Sequence, residues 1–317
     1  MNPDKLFQII EFCIQKKIIF FENYSLKKLT TFRVGGNARI FIMPENISDT
    51  LELQKLLTDL HIEFFVLGGG SNLLISDSGF NGVVIQMKYP ASIEYLTNNN
   101  ESGEKLVFKI SASASSSKVA RQISSQSCQG LEFLTTIPGT IGGAVVQNAG
   151  CYGSEICDFI QAVFFSRHGT LEEITKDKAD FSYRNSIFKK NPEMMIHYVV
   201  FEVEKGNQDE INQKIREYKN NRIKSQPANR RNAGSIFKNP ETGKAWKYIA
   251  DCDLAGFNIG GAEISTKHAN FILNSGNATA MDIYRIIRHI QISVSEKFQI
   301  DLVPEILFLG KFDDKNN

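Results

Sequence analysis

Apolar positions along this chain switch between the helical and the extended period, and the switches mark its elements. Residues 3–17 carry an amphipathic helical pattern, and residues 38–43 read as a strand that stops at Pro44. Over residues 47–60, Leu53, Leu56, Leu57 and Leu60 return at helical spacing, with Asn46 placed to cap the first turn. The run Glu63-Phe64-Phe65-Val66-Leu67 is short, apolar and halted by three glycines, which predicts a strand. Strand, helix, strand and glycine turn in that order indicate an α+β or α/β unit.

Residues 80–114 alternate apolar and polar side chains with few breaks, residues 117–128 look helical, and residues 137–156 are again glycine-rich. Strands are expected near 160–166 and 196–204. At Gly206-Asn207-Gln208-Asp209 the pattern turns into a polar helix with Ile211, Ile215 and Tyr218 on one face, so a boundary is placed there. Further helices are expected near 244–253 and 279–297, the second burying Ile283, Ile286, Ile287, Ile290 and Val294. The expected division is 1–85, 86–205 and 206–317.

Composition narrows the classes. An apolar content of 42% is that of a globular chain, and 36 Lys plus Arg against 35 Asp plus Glu leaves no field to draw in nucleic acid or an anionic membrane. Any anion must be caught by locally placed groups. Five cysteines at irregular spacing, without a Cys-x-x-Cys pair, read as reduced thiols rather than zinc ligands, and no metal is expected. The N-terminal segment is interrupted by Glu11, Gln15, Lys16 and Lys17, unlike a signal peptide, and no apolar run reaches the roughly 20 residues of a membrane span. A cytoplasmic enzyme or binding protein is expected.

Three glycine clusters carry the first chemistry: Thr31-Phe32-Arg33-Val34-Gly35-Gly36, Gly68-Gly69-Gly70-Ser71-Asn72, and Pro138-Gly139-Thr140-Ile141-Gly142-Gly143. Glycines let a ligand approach main-chain N–H groups, which is how an uncharged loop binds a diphosphate. One cluster alone would be a tight turn; three in one half of the chain favour a cofactor. The dinucleotide fingerprint Gly-x-Gly-x-x-Gly fails at Leu73, and Gly243-Lys244 is followed by Ala245 where a P-loop needs Ser or Thr.

The loop from Gly68 to Leu74 resembles the pyrophosphate loop of vanillyl-alcohol-oxidase-like FAD domains. The other two clusters, extended by Gln147-Asn148-Ala149-Gly150-Cys151-Tyr152-Gly153, closely resemble the MurB family within that group. The resemblance runs from about residue 27 to residue 310. It implies an α+β fold: an FAD-binding domain of two subdomains over the first 205 residues, followed by an α+β substrate domain. It also implies an NADPH-dependent reductase that converts UDP-N-acetylglucosamine enolpyruvate into UDP-N-acetylmuramate for peptidoglycan synthesis, acting as a monomer. Cofactor contacts would come from Arg33, Gly35, Gly68, Gly69, Gly70, Ser71, Asn72, Pro138, Gly139, Thr140, Gly142, Gly143 and Ala149. No His lies in the matching loops, so FAD is expected to be noncovalent, with Cys151 the one residue that would overturn this.

Reducing an enol ether beside a carboxylate requires a hydride, an acid, and fixed donors around the carboxylate. The segment Asn232-Ala233-Gly234-Ser235-Ile236-Phe237-Lys238-Asn239 looks like the family's proton-donor motif, mapping that role to Ser235; otherwise such a Ser is a turn residue or cap. Phe181-Ser182-Tyr183-Arg184-Asn185-Ser186 resembles the segment facing the substrate, and Arg184 suits a planar carboxylate because a guanidinium donates two parallel hydrogen bonds. Glu305 is the acid in Leu302-Val303-Pro304-Glu305-Ile306-Leu307 and matches the third catalytic residue, whereas Leu307 replaces a basic residue common in relatives. UDP-sugar contacts are expected from Tyr152, Tyr183, Arg222, Lys238, Asn239, Lys267 and His268, with Asn270 also within reach and Arg230 and Arg231 a solvated basic pair. Residues 206–317 leave no room for an inserted tyrosine loop, as in the family's shorter type. The rival readings are another flavin oxidase or dehydrogenase of the same fold, which leaves Ser235, Arg184 and Glu305 unexplained together, and a non-catalytic nucleotide-sugar binder.

Overall fold

The computed structural model describes residues 1–96, 105–228 and 231–312. Most sequence-predicted elements form: helices Pro3–Lys16, Ile47–Asp59, Ser116–Ser124, Gln208–Ser225, Ala245–Asp251 and Ala280–Phe298, and strands Asn37–Met43, Phe64–Val66, Ile160–Arg167 and Met195–Lys205. Asn46 caps its helix as expected, its side chain accepting from the Asp49 N–H at 2.9 Å. The alternating stretch 80–114 resolves into Phe80–Ile85, Ile93–Leu96 and Lys105–Ser111, while residues 97–104 lie outside the described residues.

The chain forms two compact units, each built from three segments: Met1–Phe21, Ile40–Gly69 and Gly82–Arg222 in the first, and Glu22–Arg39, Gly70–Asn81 and Ile223–Asn317 in the second. They do not coincide with the consecutive division expected from the sequence, because residues 22–39 and 70–81 pack with the C-terminal third, and most of the helix Gln208–Ser225 stays with the first unit.

In the first unit the central sheet runs in the order Thr170–Thr175, Ile160–Arg167, Met195–Lys205, Lys105–Ser111, Ile93–Leu96, with Cys128–Gln129 also paired to Met195–Lys205. Its neighbours are antiparallel, with Val163 opposite Val199 and Phe201 opposite Phe108. One face carries Phe108, Ile110, Phe165, Val199 and Phe201 into the main core, against Val119 and Ile123 of one helix and Ile141 and Val145 of another. A second core gathers Leu6, Ile9 and Cys13 with Leu53, Leu57, Val83 and Ile85.

Polar side chains are buried at the edge of these cores in a connected set. Gln54, fully buried, donates to the carbonyls of Ser166 (3.1 Å) and Glu193 (2.7 Å) and accepts from the Gly169 N–H at 3.0 Å. Thr50 donates to the Asn46 carbonyl and accepts from the Tyr89 hydroxyl at 2.7 Å. Because the Tyr89 proton goes to Thr50, His197 Nδ1–H donates to the Tyr89 oxygen (3.1 Å) and Nε2 accepts from the Ser166 hydroxyl (2.8 Å). Burial pulls the His197 pKa from 6.5 to about 4, so the ring is neutral.

In the second unit the helix Ala280–Phe298 buries the expected stripe of Ile283, Ile286, Ile287, Ile290 and Val294 against Phe32, Val34, Leu74, Ile236, Phe237, Ile264 and Ile272. Burying each such side chain is worth about 1.5–3 kcal/mol. Its first turn is capped twice: Thr279 and Asp282 form a capping box, and Asp77 accepts from the N–H groups of Ala280 and Met281, each at 2.9 Å. A three-stranded antiparallel sheet (Asn258–Ile259, Ala262–Ile264, Ile272–Asn274) and a parallel pair (Leu73–Ile75 with Leu307–Leu309) complete the unit. Among the described residues no helix is long and apolar enough to cross a membrane.

Candidate active site

In the second unit the strand-like run through Ser235 lies antiparallel to the run through Glu305. Phe237 and Pro304 form a bridge, the Glu305 N–H donates to the Ile236 carbonyl at 2.7 Å, and the Lys238 N–H donates to the Val303 carbonyl at 2.9 Å. Two residues distant in sequence are thus fixed on adjacent backbone, both half-buried. Gly234 permits the approach with φ +77, and a Cβ there would meet nothing within 4 Å, so the main chain beside Ser235 borders open space.

The loop from Gly70 to Asn72 supports this pair. Asn72 Nδ2 donates to the Glu305 carbonyl at 3.2 Å, and the Leu307 N–H donates to the Asn72 carbonyl at 3.0 Å. Gly70 adopts φ +61 against Leu29, and its carbonyl accepts from the Thr31 N–H at 3.0 Å. Gly35, with φ +112, packs on Ile75, and the exposed Arg33 donates to the Lys28 carbonyl at 2.6 Å.

Other expected contacts of this unit have local partners. Asn239 Oδ1 accepts from the Ala245 N–H at 3.1 Å, and Lys267 Nζ donates to the Ile223 carbonyl at 2.7 Å. His268 stacks edge-on to Phe271, accepts from the Asn270 N–H at Nδ1, and has its pKa lowered by burial. Asn270, expected within reach of a ligand, instead clamps Phe237: its side chain accepts from the Phe237 N–H at 2.9 Å and donates to the Phe237 carbonyl at 2.8 Å. Arg230 lies outside the described residues; Arg231 is exposed, and its carbonyl accepts from the Asn274 N–H.

In the first unit Gly68 and Gly69 stand against the loop after Pro138. A Cβ on Gly69 would come within 2.6 Å of the Gly139 Cα, and one on Gly68 within 2.7 Å of the Thr140 hydroxyl. Gly139 has φ +114, Gly142 packs on Ala112, and Thr140 caps the short helix Ile141–Val146 by accepting from the Gly143 N–H. The two loops approach as closely as glycine allows, and such glycine-rich main chain is the kind that can offer N–H groups to a diphosphate. The residues present fit the FAD expectation. The nearly buried Ala149 follows.

The remaining expected residues of this unit include Arg184, Tyr152, Tyr183 and Arg222. The turn Ser182–Asn185 is closed by two backbone hydrogen bonds, Ser182 N–H to Asn185 carbonyl and the reverse, and Arg184 takes a left-handed φ of +54 within it. Its guanidinium donates to the Glu155 carboxylate (3.2 Å), the Asn148 carbonyl (3.3 Å) and the Gly150 carbonyl (2.6 Å), and it lies over the Tyr183 ring. Tyr152 stacks in parallel on Tyr218 with centroids 4.4 Å apart and donates to the Tyr218 carbonyl. Arg222, one helical turn beyond Tyr218, has its pKa lowered by desolvation. Burial raises the Cys151 thiol, so it stays protonated rather than becoming a nucleophilic thiolate.

Sequence reading missed Glu155 and gave Asn148 no role. Glu155 pairs with a residue 29 positions away, and the one local signal was its place in a capping box with Asp158. Among the described residues no cluster of three or more His, Cys, Asp or Glu could hold a metal ion.

Comparison with known proteins finds relatives that match nearly the full length of the chain. The family model described as FAD binding domain matches residues 38–172, and that described as UDP-N-acetylenolpyruvoylglucosamine reductase, C-terminal domain, matches residues 226–309. The UDP-N-acetylenolpyruvoylglucosamine reductase of Carboxydothermus hydrogenoformans is 38% identical over 291 residues, covering 92% of this chain and 94% of the relative. That of Caldanaerobacter subterraneus subsp. tengcongensis is 37% identical over 309 residues, covering 97% and 98%. The crystal structure of MurB from Thermus caldophilus superposes with a TM-score of 0.75 at 27% identity, covering 92% of this chain and 99% of that one. These matches, spanning more than nine-tenths of the chain and of each relative, place the chain in the UDP-N-acetylenolpyruvoylglucosamine reductase family.

Proposed function

We propose that this chain reduces UDP-N-acetylglucosamine enolpyruvate to UDP-N-acetylmuramate with NADPH, using noncovalent FAD, as a cytoplasmic monomer in peptidoglycan precursor synthesis. The observation that carries the reading is the antiparallel run in which the Glu305 N–H bonds the Ile236 carbonyl beside Ser235, because it brings two of the three expected catalytic residues onto adjacent backbone. Bound FAD supplies the hydride relay between NADPH and the substrate double bond. Gly68, Gly69, Gly139, Thr140, Gly142 and Gly143 would hold its diphosphate through main-chain groups.

The protein's own groups then divide the remaining work. Arg184 holds the enolpyruvyl carboxylate as charge builds on it. Glu305 stabilises the enolic intermediate. Ser235 Oγ delivers its proton to the carbon that has not received hydride, and Lys238, three residues on, offsets the alkoxide left behind. Arg222, desolvated within the first unit, is suited to phosphate oxygens, with Tyr152 and Tyr183 alongside and Asn239, Lys267 and His268 supplying donors to the sugar. The raised Cys151 thiol supports the noncovalent attachment.

A visible absorbance spectrum of the purified protein tests this reading. Flavin bands bleached by NADPH and restored by the enolpyruvyl substrate are the expected result. Absence of those bands, or bleaching that the substrate does not reverse, would refute it.

A further inference from the structure

We infer that Glu155 is a positioning residue for the reductase reaction, setting the plane of the Arg184 guanidinium together with Asn148. The inference rests on the reading of Arg184 as the group that holds the substrate carboxylate.

Arg184 is 14% exposed and Glu155 31%, so the pair is partly shielded from water. Nη1 reaches both the Glu155 carboxylate and the Asn148 carbonyl, while Nη2 reaches the Gly150 carbonyl. Acceptors at two terminal nitrogens fix the orientation of a planar fork, which a single contact cannot do. Glu155 is itself fixed: Asn148 Nδ2 donates to its second oxygen at 2.8 Å and to the Ser182 carbonyl at 3.0 Å, and Asn148 Oδ1 accepts from the Cys157 N–H at 3.3 Å. Asn148 is fully buried. It therefore ties the turn that carries Arg184 to the loop that carries Glu155.

Two non-glycine residues of this set, Asn148 at φ +44 and Arg184 at φ +54, sit in the left-handed region. Such backbone persists only where the surroundings over-determine it. A device for attracting anions would leave the guanidinium uncompensated, yet here a carboxylate partly neutralises it. The arrangement thus gives up Coulombic attraction and gains orientation, and orientation governs the rate of the step in which charge develops on the bound carboxylate.

The test is steady-state kinetics of Glu155→Gln, Arg184→Lys and the double variant. Glu155→Gln keeps the side-chain shape and removes the charge, so KM for the enolpyruvyl substrate should stay level or fall while kcat drops about tenfold or more. Glu155→Asp should restore part of the kcat. In the Arg184→Lys background Glu155→Gln should add nothing, because the group it positions is gone. If Arg184→Lys is impaired but Glu155→Gln retains wild-type kcat, or is equally damaging in both backgrounds, the positioning role is refuted and the reading of Arg184 stands. Normal turnover in Arg184→Lys refutes both. Should Glu155→Gln fail to fold, Glu155→Asp takes its place in the same cycle.

Discussion

The main-chain N–H of Glu305 donates to the carbonyl of Ile236 at 2.7 Å, and that bond fixes Glu305 against the residue that follows Ser235. Pro304 has no N–H, so the bridge it forms with Phe237 depends on its flanking residues for hydrogen bonds. Both flanks supply them, Val303 accepting from Lys238 and Glu305 donating to Ile236. On the other side, Asn270 satisfies both backbone groups of Phe237. The three residues that follow Ser235 are thereby held by hydrogen bonds on both sides.

Ser235→Ala is expected to separate the two half-reactions. Reduction by NADPH needs no acid at the substrate carbon and should proceed near the normal rate, whereas reoxidation by the enolpyruvyl substrate should slow by roughly 10²-fold or more. Ser235→Cys should recover part of the loss. Stopped-flow absorbance follows both phases; equal slowing would leave Ser235 as a loop-shaping residue.

Arg184→Lys should abolish most turnover and leave flavin content unchanged, because an ammonium cannot span the acceptors from Glu155 to Gly150. Activity near wild type would make the guanidinium structural, and loss of flavin would connect it to the cofactor instead. The ratio of flavin to protein absorbance, measured beside kcat, distinguishes these results.

Gly69→Ala should give a folded protein that purifies with little FAD. A Cβ there would stand 2.6 Å from the Gly139 Cα, so one of the two backbones must move. Circular dichroism close to wild type with a colourless sample is the expected pair of results. Full flavin occupancy would show that the loop is not the diphosphate cradle.

Acid should weaken the fold through His197. Its folded pKa of about 4 lies below the ordinary 6.5, so the unfolded chain takes up the proton first as pH falls. The stabilisation is complete above pH 6.5, drains away toward pH 4 and changes no further below, an upper bound of about 3 kcal/mol. Protonation at Nε2 would also force Ser166 from donor to acceptor. Urea melts across this range should show the slope in wild type and a flatter one in His197→Gln; identical slopes would assign the acid sensitivity elsewhere.

Helices with a clean stripe, such as Ala280–Phe298, were legible in the sequence because one face alone decides their burial. The glycine loops and the motifs through Ser235, Arg184 and Glu305 were singled out by resemblance, not by period or composition. Glu155 and Asn270 were not, since their partners lie 29 and 33 residues away and neither local composition nor period records a long-range hydrogen bond. The same blindness explains the division of the chain. Phe32, Val34 and Leu74 read as ordinary apolar positions of the N-terminal third, yet they share a core with Ile236, Ile264 and Ile283.

Because the chain passes from one unit to the other five times, at 21/22, 39/40, 69/70, 81/82 and 222/223, no single cut separates the two units cleanly. A fragment ending at Arg222 would keep Phe32, Val34 and Leu74 but lose the partners that cover them, and would present fresh apolar surface in two places. A fragment beginning at Ile223 would lack Asp77, hence part of the cap on its longest helix, and the strand Leu73–Ile75 that pairs with Leu307–Leu309. Each fragment would therefore lose contacts that complete its core or cap its helix, and both are expected to be less stable than the whole chain.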